Sequence, residues 1–219
     1  MQENQIYRNL NPNKGLIFRI VHRDNIPWIL QNGLYCGNHQ IKSPSWVSIG
    51  NSDLISKRAN RSVPCGKKGF LNDYIPFYFT PFSPMLLNII SGRGVIARRH
   101  EEIVILVSSL YRIAEQGLDF VFTDMHAYYH WAKFYESLEN LNRIDWSILQ
   151  TRDFKRDEND LQKFERYQAE ALIYQHCPIS ALLGIVCYDQ DTAAEITQLA
   201  TQQSLANFKI LTRPDWYFS

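Results

Sequence analysis

The chain has 219 residues, 45% hydrophobic and 21% charged, the balance of a packed soluble domain, which excludes a disordered or collagen-like polymer. Its 23 Lys and Arg against 22 Asp and Glu leave a net charge of +1, so any attraction to a polyanion must come from local clusters. A single domain over 1–219 is expected, able to bury roughly 70% of its unfolded surface without disulfide or metal.

In chain order, Leu16 to His22 (LIFRIVH) reads as a strand with a polar end. Asp24 is a suitable N-cap for a short helix over 25–31, closed by Asn32 and Gly33. Residues 34–50 have no period and hold Gly37, Ser43, Pro44 and Ser45, which predicts a long ordered loop of the kind that is usually functional. Ser52 or Asp53 caps a helix to about Asn60. Asp73 to Thr80 is an aromatic strand, followed by a short helix through Ile90. Glu102 to Ser108 is continuously apolar and reads as a buried strand, and Phe120 to Thr123 as a short one. Residues 126–140 read as a helix and 142–162 as a polar stretch of mixed charge. Residues 164–175 fit strand or helix. A strand over 184–188, a helix over 191–205 and a closing strand over 208–211 complete an α+β chain of about six mixed or antiparallel strands.

No apolar run reaches about 18 residues, so no membrane span is expected. The opening MQENQIYRNLNPNKG has no apolar core and predicts no secretory signal. Cys36, Cys65, Cys177 and Cys187 are scattered, with no CxxC spacing, and read as free thiols in a reducing cytoplasm. Leu54 to Asn72 contains no acidic residue but holds Lys57, Arg58, Arg61, Lys67 and Lys68. With Arg93, Arg98 and Arg99 these form two basic patches, which suit a binding groove as well as solvated loops.

Chemistry-bearing residues are few. Glu170 stands immediately before the apolar run ALIY, as when a strand presents one acid at its edge; an ordinary glutamate on a surface helix is the plain alternative. His126 and His130, spaced i, i+4, would share a face of the expected helix, but no third ligand accompanies them and no metal is expected. GxSxG, P-loop and GxGxxG patterns are absent. Asp153, Asp157 and Asp160 form the weak carboxylate set that a metal-dependent nuclease would need.

Four segments, IVHRDNIPWILQNGL (20–34), NDYIPFYFTPFSPML (72–86), FVFTDMHAYYHW (120–131) and FERYQAEALIYQHCP (164–178), closely resemble the DarT family of DNA ADP-ribosyltransferase toxins. The resemblance covers nearly the whole chain. It implies an ADP-ribosyltransferase fold of the poly(ADP-ribose) polymerase-like type, with mostly antiparallel sheets, peripheral helices and NAD as co-substrate in a cleft between two small sheets. It also implies transfer of ADP-ribose to a base in single-stranded DNA, thymine ahead of guanine, blocking replication. A DarG-type macrodomain antitoxin is the implied partner, and the toxin is expected to be monomeric when free.

The resemblance also implies roles for residues. Arg19, Ile20 and Val21 match the triplet that faces nicotinamide, where many relatives carry His in place of Arg19. His22, Trp28, Cys36, Arg58, Tyr78 and His126 are further cofactor-binding candidates, and 41–59 match an NAD-binding loop and helix. Arg58 matches a residue acting at the acceptor base, either as proton acceptor or, since a guanidinium has a pKa above ~12, as stabiliser of a base losing its proton. Glu170 matches the catalytic glutamate, whose replacement by Gln or Ala is expected to abolish transfer with little loss of folding. The segment from about Thr123 to Glu170 frames the substrate, and its Tyr128, Tyr129, Trp131, Arg152, Lys155 and Arg156 offer stacking surfaces and cations to a single strand. A noncatalytic nucleic-acid-binding module, or transfer to guanine, RNA or protein, are the competing readings.

Overall fold

The run LIFRIVH does form a strand, and most of it is buried because it has neighbours on both edges. In the computed structural model, which describes residues 6–218, the chain begins with α1 (Ile6–Asn9), β1 (Leu16–His22), α2 (Ile26–Asn32) and β2 (Leu34–Tyr35). The loop after β2 leads to α3 (Ser52–Arg58), β3 (Tyr74–Tyr78) and α4 (Pro84–Ser91). Then come β4 (Ile103–Ser109), α5 (Leu110–Glu115), β5 (Phe120–Thr123), β6 (Phe134–Tyr135), α6 (Trp146–Thr151) and α7 (Lys163–Arg166). The chain closes with β7 (Glu170–Tyr174), β8 (His176–Cys177), β9 (Gly184–Cys187), α8 (Gln190–Gln202) and β10 (Lys209–Thr212). The α+β class stands. Ten strands replace the expected six because 164–175, open to strand or helix, contains β7, and β2, β6 and β8 are two-residue pairings with no periodicity to read.

Eight strands form one sheet in the order β10-β9-β4-β1-β3-β7-β5-β6, antiparallel except for β9 and β10. Pairing is uneven. β1 pairs with β4 along its whole length, from Leu16 opposite Ser109 to His22 opposite Ile103. β3 pairs as fully with β7, from Tyr74 opposite Tyr174 to Tyr78 opposite Glu170. Between β1 and β3 only Phe18 and Tyr78 are in register. The sheet is therefore two four-stranded halves joined by one rung, and a cleft opens where β1 leaves β3. This is the form taken here by the expected two small sheets.

Caps differ from the reading in instructive ways. Asn51, not Ser52 or Asp53, caps α3, accepting from Leu54 N–H at 3.0 Å. Asn25 precedes α2, but its amide is turned away, donating to Val47 O (2.9 Å) and accepting from Val47 N–H (2.8 Å). That clasp pins the long loop against the start of α2. Gly33 takes φ 72°, and a side chain there would lie 2.4 Å from Cys177 O, so the close β8 backbone requires glycine.

The helix expected over 126–140 does not form. Thr123 Oγ1 donates to Met125 O (2.6 Å), Asp124 Oδ1 accepts from Lys133 N–H (3.0 Å), and the segment closes into turns followed by β6 and a 3-10 stretch over 138–143. Local side-chain bonds outcompete helical ones here. His126 and His130 consequently share no helix face.

Arg152, expected to bind DNA, instead staples the two ends of the described chain. Its guanidinium lies 3.7 Å above the Phe82 ring and donates to Tyr7 Oη and Tyr217 O, both at 3.1 Å. Cation–π contact and hydrogen bonding together predict that Arg152→Ala costs about 2 kcal/mol in urea unfolding, while affinity for an oligonucleotide is unchanged. No helix among the described residues is long and apolar enough to cross a membrane.

Candidate active site

A cleft of about 410 Å³ follows from the parting of the sheet halves. β1 contributes Arg19, Ile20 and Val21, β3 contributes Tyr78, the end of α3 supplies Arg58, and Glu170 heads β7. Trp28, Cys36 and His126 line it too, so eight of the nine proposed cofactor-site residues share one cavity with Glu170. His22 is the exception. It sits at the end of β1, accepting from Asp24 N–H at Nδ1 (3.2 Å) and lying 3.6 Å from Glu102, and it is not a lining residue. A shallower groove of about 780 Å³ between α8 and β10 is lined by Gln, Thr, Ala, Ile and Leu and holds no titratable side chain.

Glu170 is 1% exposed, yet heavily partnered. Arg58 Nη1 donates to both carboxylate oxygens, at 3.1 and 2.8 Å, and Ala127 N–H donates to Oε1 at 3.1 Å. His126 Nδ1 lies 3.0 Å from the same oxygen. That nitrogen is also 3.2 Å from Tyr128 N–H, but one atom cannot accept there and donate to Glu170. The shorter, charge-assisted contact places the proton on Nδ1. Burial by itself raises the acid, but Arg58, His126 and the Ala127 amide prevail and hold it at about 2. The site thus keeps a full carboxylate charge inside the protein.

The neighbourhood is cationic. Arg19 reaches across the gap to Pro76 O (2.6 Å), while its Nε is buried without a hydrogen-bond partner. Burial pulls this guanidinium down to about 10. Tyr78, whose hydroxyl meets Met85 Sδ at 3.8 Å, is pushed well up by burial. Arg58 has its second terminal nitrogen, Nη2, buried without a partner. An unfilled donor beside an ionised acid, in an open cleft, is suited to a polar ligand.

The residues proposed for DNA fall outside the cavity. Tyr128, Tyr129 and Trp131 ride the turn after β5 that begins at His126, and the Tyr129 and Trp131 rings stack at 5.0 Å. Lys155 and Arg156 are exposed on the following loop, Arg156 lying over the Phe164 ring. Of the second basic patch, Arg98 and Arg99 both face Glu102. The three carboxylates considered for a nuclease do not converge. Asp153 pairs with Lys163, Asp160 with Arg166, and Asp157 accepts from Asn159 N–H. Among the described residues no group of three or more His, Cys, Asp or Glu could hold a metal. Sequence reading missed the Ala127 amide and the Asn25 clasp, which are invisible without the backbone, and Met85, for which no signal existed.

The family model described as "ssDNA thymidine ADP-ribosyltransferase, DarT" matches residues 18–218. A DNA ADP-ribosyl transferase of Escherichia coli O127:H6 is 60% identical, over 96% of this chain and 97% of its own. Another from Thermus sp. 2.9 is 35% identical over 94% of this chain and 98% of its own. Among solved structures, Thermus sp. 2.9 DarT in complex with ADP-ribosylated ssDNA has a TM-score of 0.87 at 33% identity, covering 95% of this chain and 98% of that one. The same Thermus protein in complex with NAD+ has a TM-score of 0.81, covering 95% and 100%. With the match running from β1 to the residues stapled by Arg152, the chain belongs to the DarT family of ADP-ribosyltransferases.

Proposed function

We propose that the protein transfers ADP-ribose from NAD to a thymine in single-stranded DNA, in the cytoplasm, and acts as a toxin reversed by a DarG-type macrodomain antitoxin. The observation that carries the chemistry is the ionised Glu170 carboxylate, held by Arg58, His126 and Ala127 N–H in the cleft between the sheet halves. Extended backbone at Ile20 suits the planar carboxamide of nicotinamide, with Tyr78 beside it as an aromatic wall. Cleavage of the nicotinamide–ribose bond builds positive charge on the sugar, as in glycoside hydrolysis. A buried carboxylate fixed by its donors stabilises that charge with little reorganisation.

Nicotinamide departs with the bonding electron pair, a ring nitrogen of the base forms the new bond to the ribose carbon, and the proton of that nitrogen passes to solvent water. Arg58 directs its unfilled Nη2 donor at the base and stabilises the ring as it loses the proton. A paired base cannot offer its pairing edge, which favours a single strand. Tyr129 and Trp131 present a stacked aromatic step for neighbouring bases, with Lys155 and Arg156 available to phosphates.

Mass spectrometry of short oligonucleotides, each lacking one base, after incubation with protein and NAD tests this. An ADP-ribose adduct that disappears only from the oligonucleotide without thymine is expected. An adduct that needs guanine would replace the target base, and labelling of protein or RNA but not DNA would defeat the reading.

A further inference from the structure

Arg61 does not line the cleft and stands three residues beyond Arg58, in the acid-free run that reads as a basic patch. Its guanidinium does not face outward as part of that patch. It turns onto the backbone of the turn after β5, with Nη2 2.9 Å from Tyr129 O and 3.4 Å from His130 O, and Nε 3.4 Å from Ala127 O. Nη1 lies 3.4 Å from His130 Nδ1, and the planar group sits over the Phe134 ring at 5.9 Å. A rigid fork of donors can gather several carbonyls at once, which a lysine ammonium cannot do in the same geometry.

The turn needs such a clamp. Its base is closed by the Asp124–Lys133 pair and by His126 N–H to Glu165 O, but its tip has only Tyr129 N–H to His126 O (3.1 Å) and Ala132 N–H to Tyr129 O (3.2 Å) and lacks a helical ladder. Yet it carries the Ala127 amide that touches Glu170 and the stacked Tyr129–Trp131 step. Arg61 is anchored at its other end, its N–H bonding Arg58 O (3.2 Å) and its C=O accepting from Leu71 N–H (2.9 Å). It therefore ties the end of the arginine-bearing helix to the turn on which the acceptor would rest.

We propose that Arg61 is a positioning residue that fixes the Ala127–Trp131 turn for the DNA acceptor, while leaving NAD binding to the cleft. The inference rests on the DNA-transfer reading above. Misplacing a reacting partner by about 1 Å costs on the order of 100-fold, so Arg61→Ala is expected to lower transfer to a thymine oligonucleotide by about 10- to 100-fold. The equilibrium affinity for NAD should stay within about twofold, the split expected when only acceptor placement is lost.

Arg61→Lys, keeping charge without the fork, should recover only part of the activity, and added guanidinium ion should restore turnover of Arg61→Ala but not of wild type. Undiminished transfer by Arg61→Ala would overturn the proposal. So would parallel loss of NAD affinity and transfer with no response to guanidinium in both Arg61→Ala and Arg61→Lys, the pattern of a merely structural residue. A wild-type protein that modifies no oligonucleotide would instead remove the DNA-transfer reading, and this inference with it.

Discussion

Glu170→Gln is expected to lower single-turnover transfer to DNA by about 100-fold or more, since losing a buried charge-stabilising group costs ~3 kcal/mol. The substitution keeps the shape and one oxygen but presents an amide N–H₂ to Arg58, which can only donate. Rapid-quench measurement of adduct formation at saturating NAD checks the figure, and a loss under tenfold would remove Glu170 from the chemistry. The burial of this residue also corrects the expectation that folding is spared. Taking away one partner of a buried ion pair leaves the other uncompensated, so Glu170→Ala is expected to cost about 3 kcal/mol in urea unfolding. The acid dependence has a definite sign. Because the folded protein depresses this carboxyl from 4.5 to about 2, the stability it contributes is present above 4.5 and fades as pH falls toward 2. Wild type and Glu170→Gln should therefore converge in stability across that window.

Arg58→Ala is expected to reduce transfer by about 10²- to 10³-fold, because it removes the charge opposite Glu170 and the unpartnered Nη2 proposed to meet the acceptor. NAD affinity should fall much less, since the carboxamide-binding backbone of β1 is untouched. The residual activity carries a signature. Without Arg58, burial acts on Glu170 against only His126 and the Ala127 amide, so the acid's pKa rises. The acid limb of the pH–rate profile should move to higher pH in Arg58→Ala and stay low in Arg58→Lys, which keeps the charge. An unmoved limb in both variants would show that Glu170 does not depend on Arg58 for its ionisation.

The sequence makes legible whatever depends on local pattern. β1, β4 and α8 are long enough for periodicity or continuous burial to declare them, and α4 announces itself through Ser83, Pro84 and Gly92 at its ends. The substrate-framing turn is different. Its aromatics at 128, 131 and 135 imitate a helical stripe, while the Thr123 and Asp124 side chains that close the turn bond locally to Met125 O and Lys133 N–H, with Glu170 the one distant partner. Glu170 and Arg58 emerge as a pair only through family resemblance, since 112 residues separate them. Arg152 and Arg61 show the limit of reading charge as function, for both are cations turned onto the protein itself. Composition records that an arginine is present but not which way it points.

The single rung between Phe18 and Tyr78 has a consequence for how the enzyme tolerates change. Within the sheet, the halves are tied by that rung and by Arg19 reaching Pro76 O, and one continuous apolar core backs both. Few main-chain bonds thus cross the cleft, and its width rests on side-chain packing more than on the ladder.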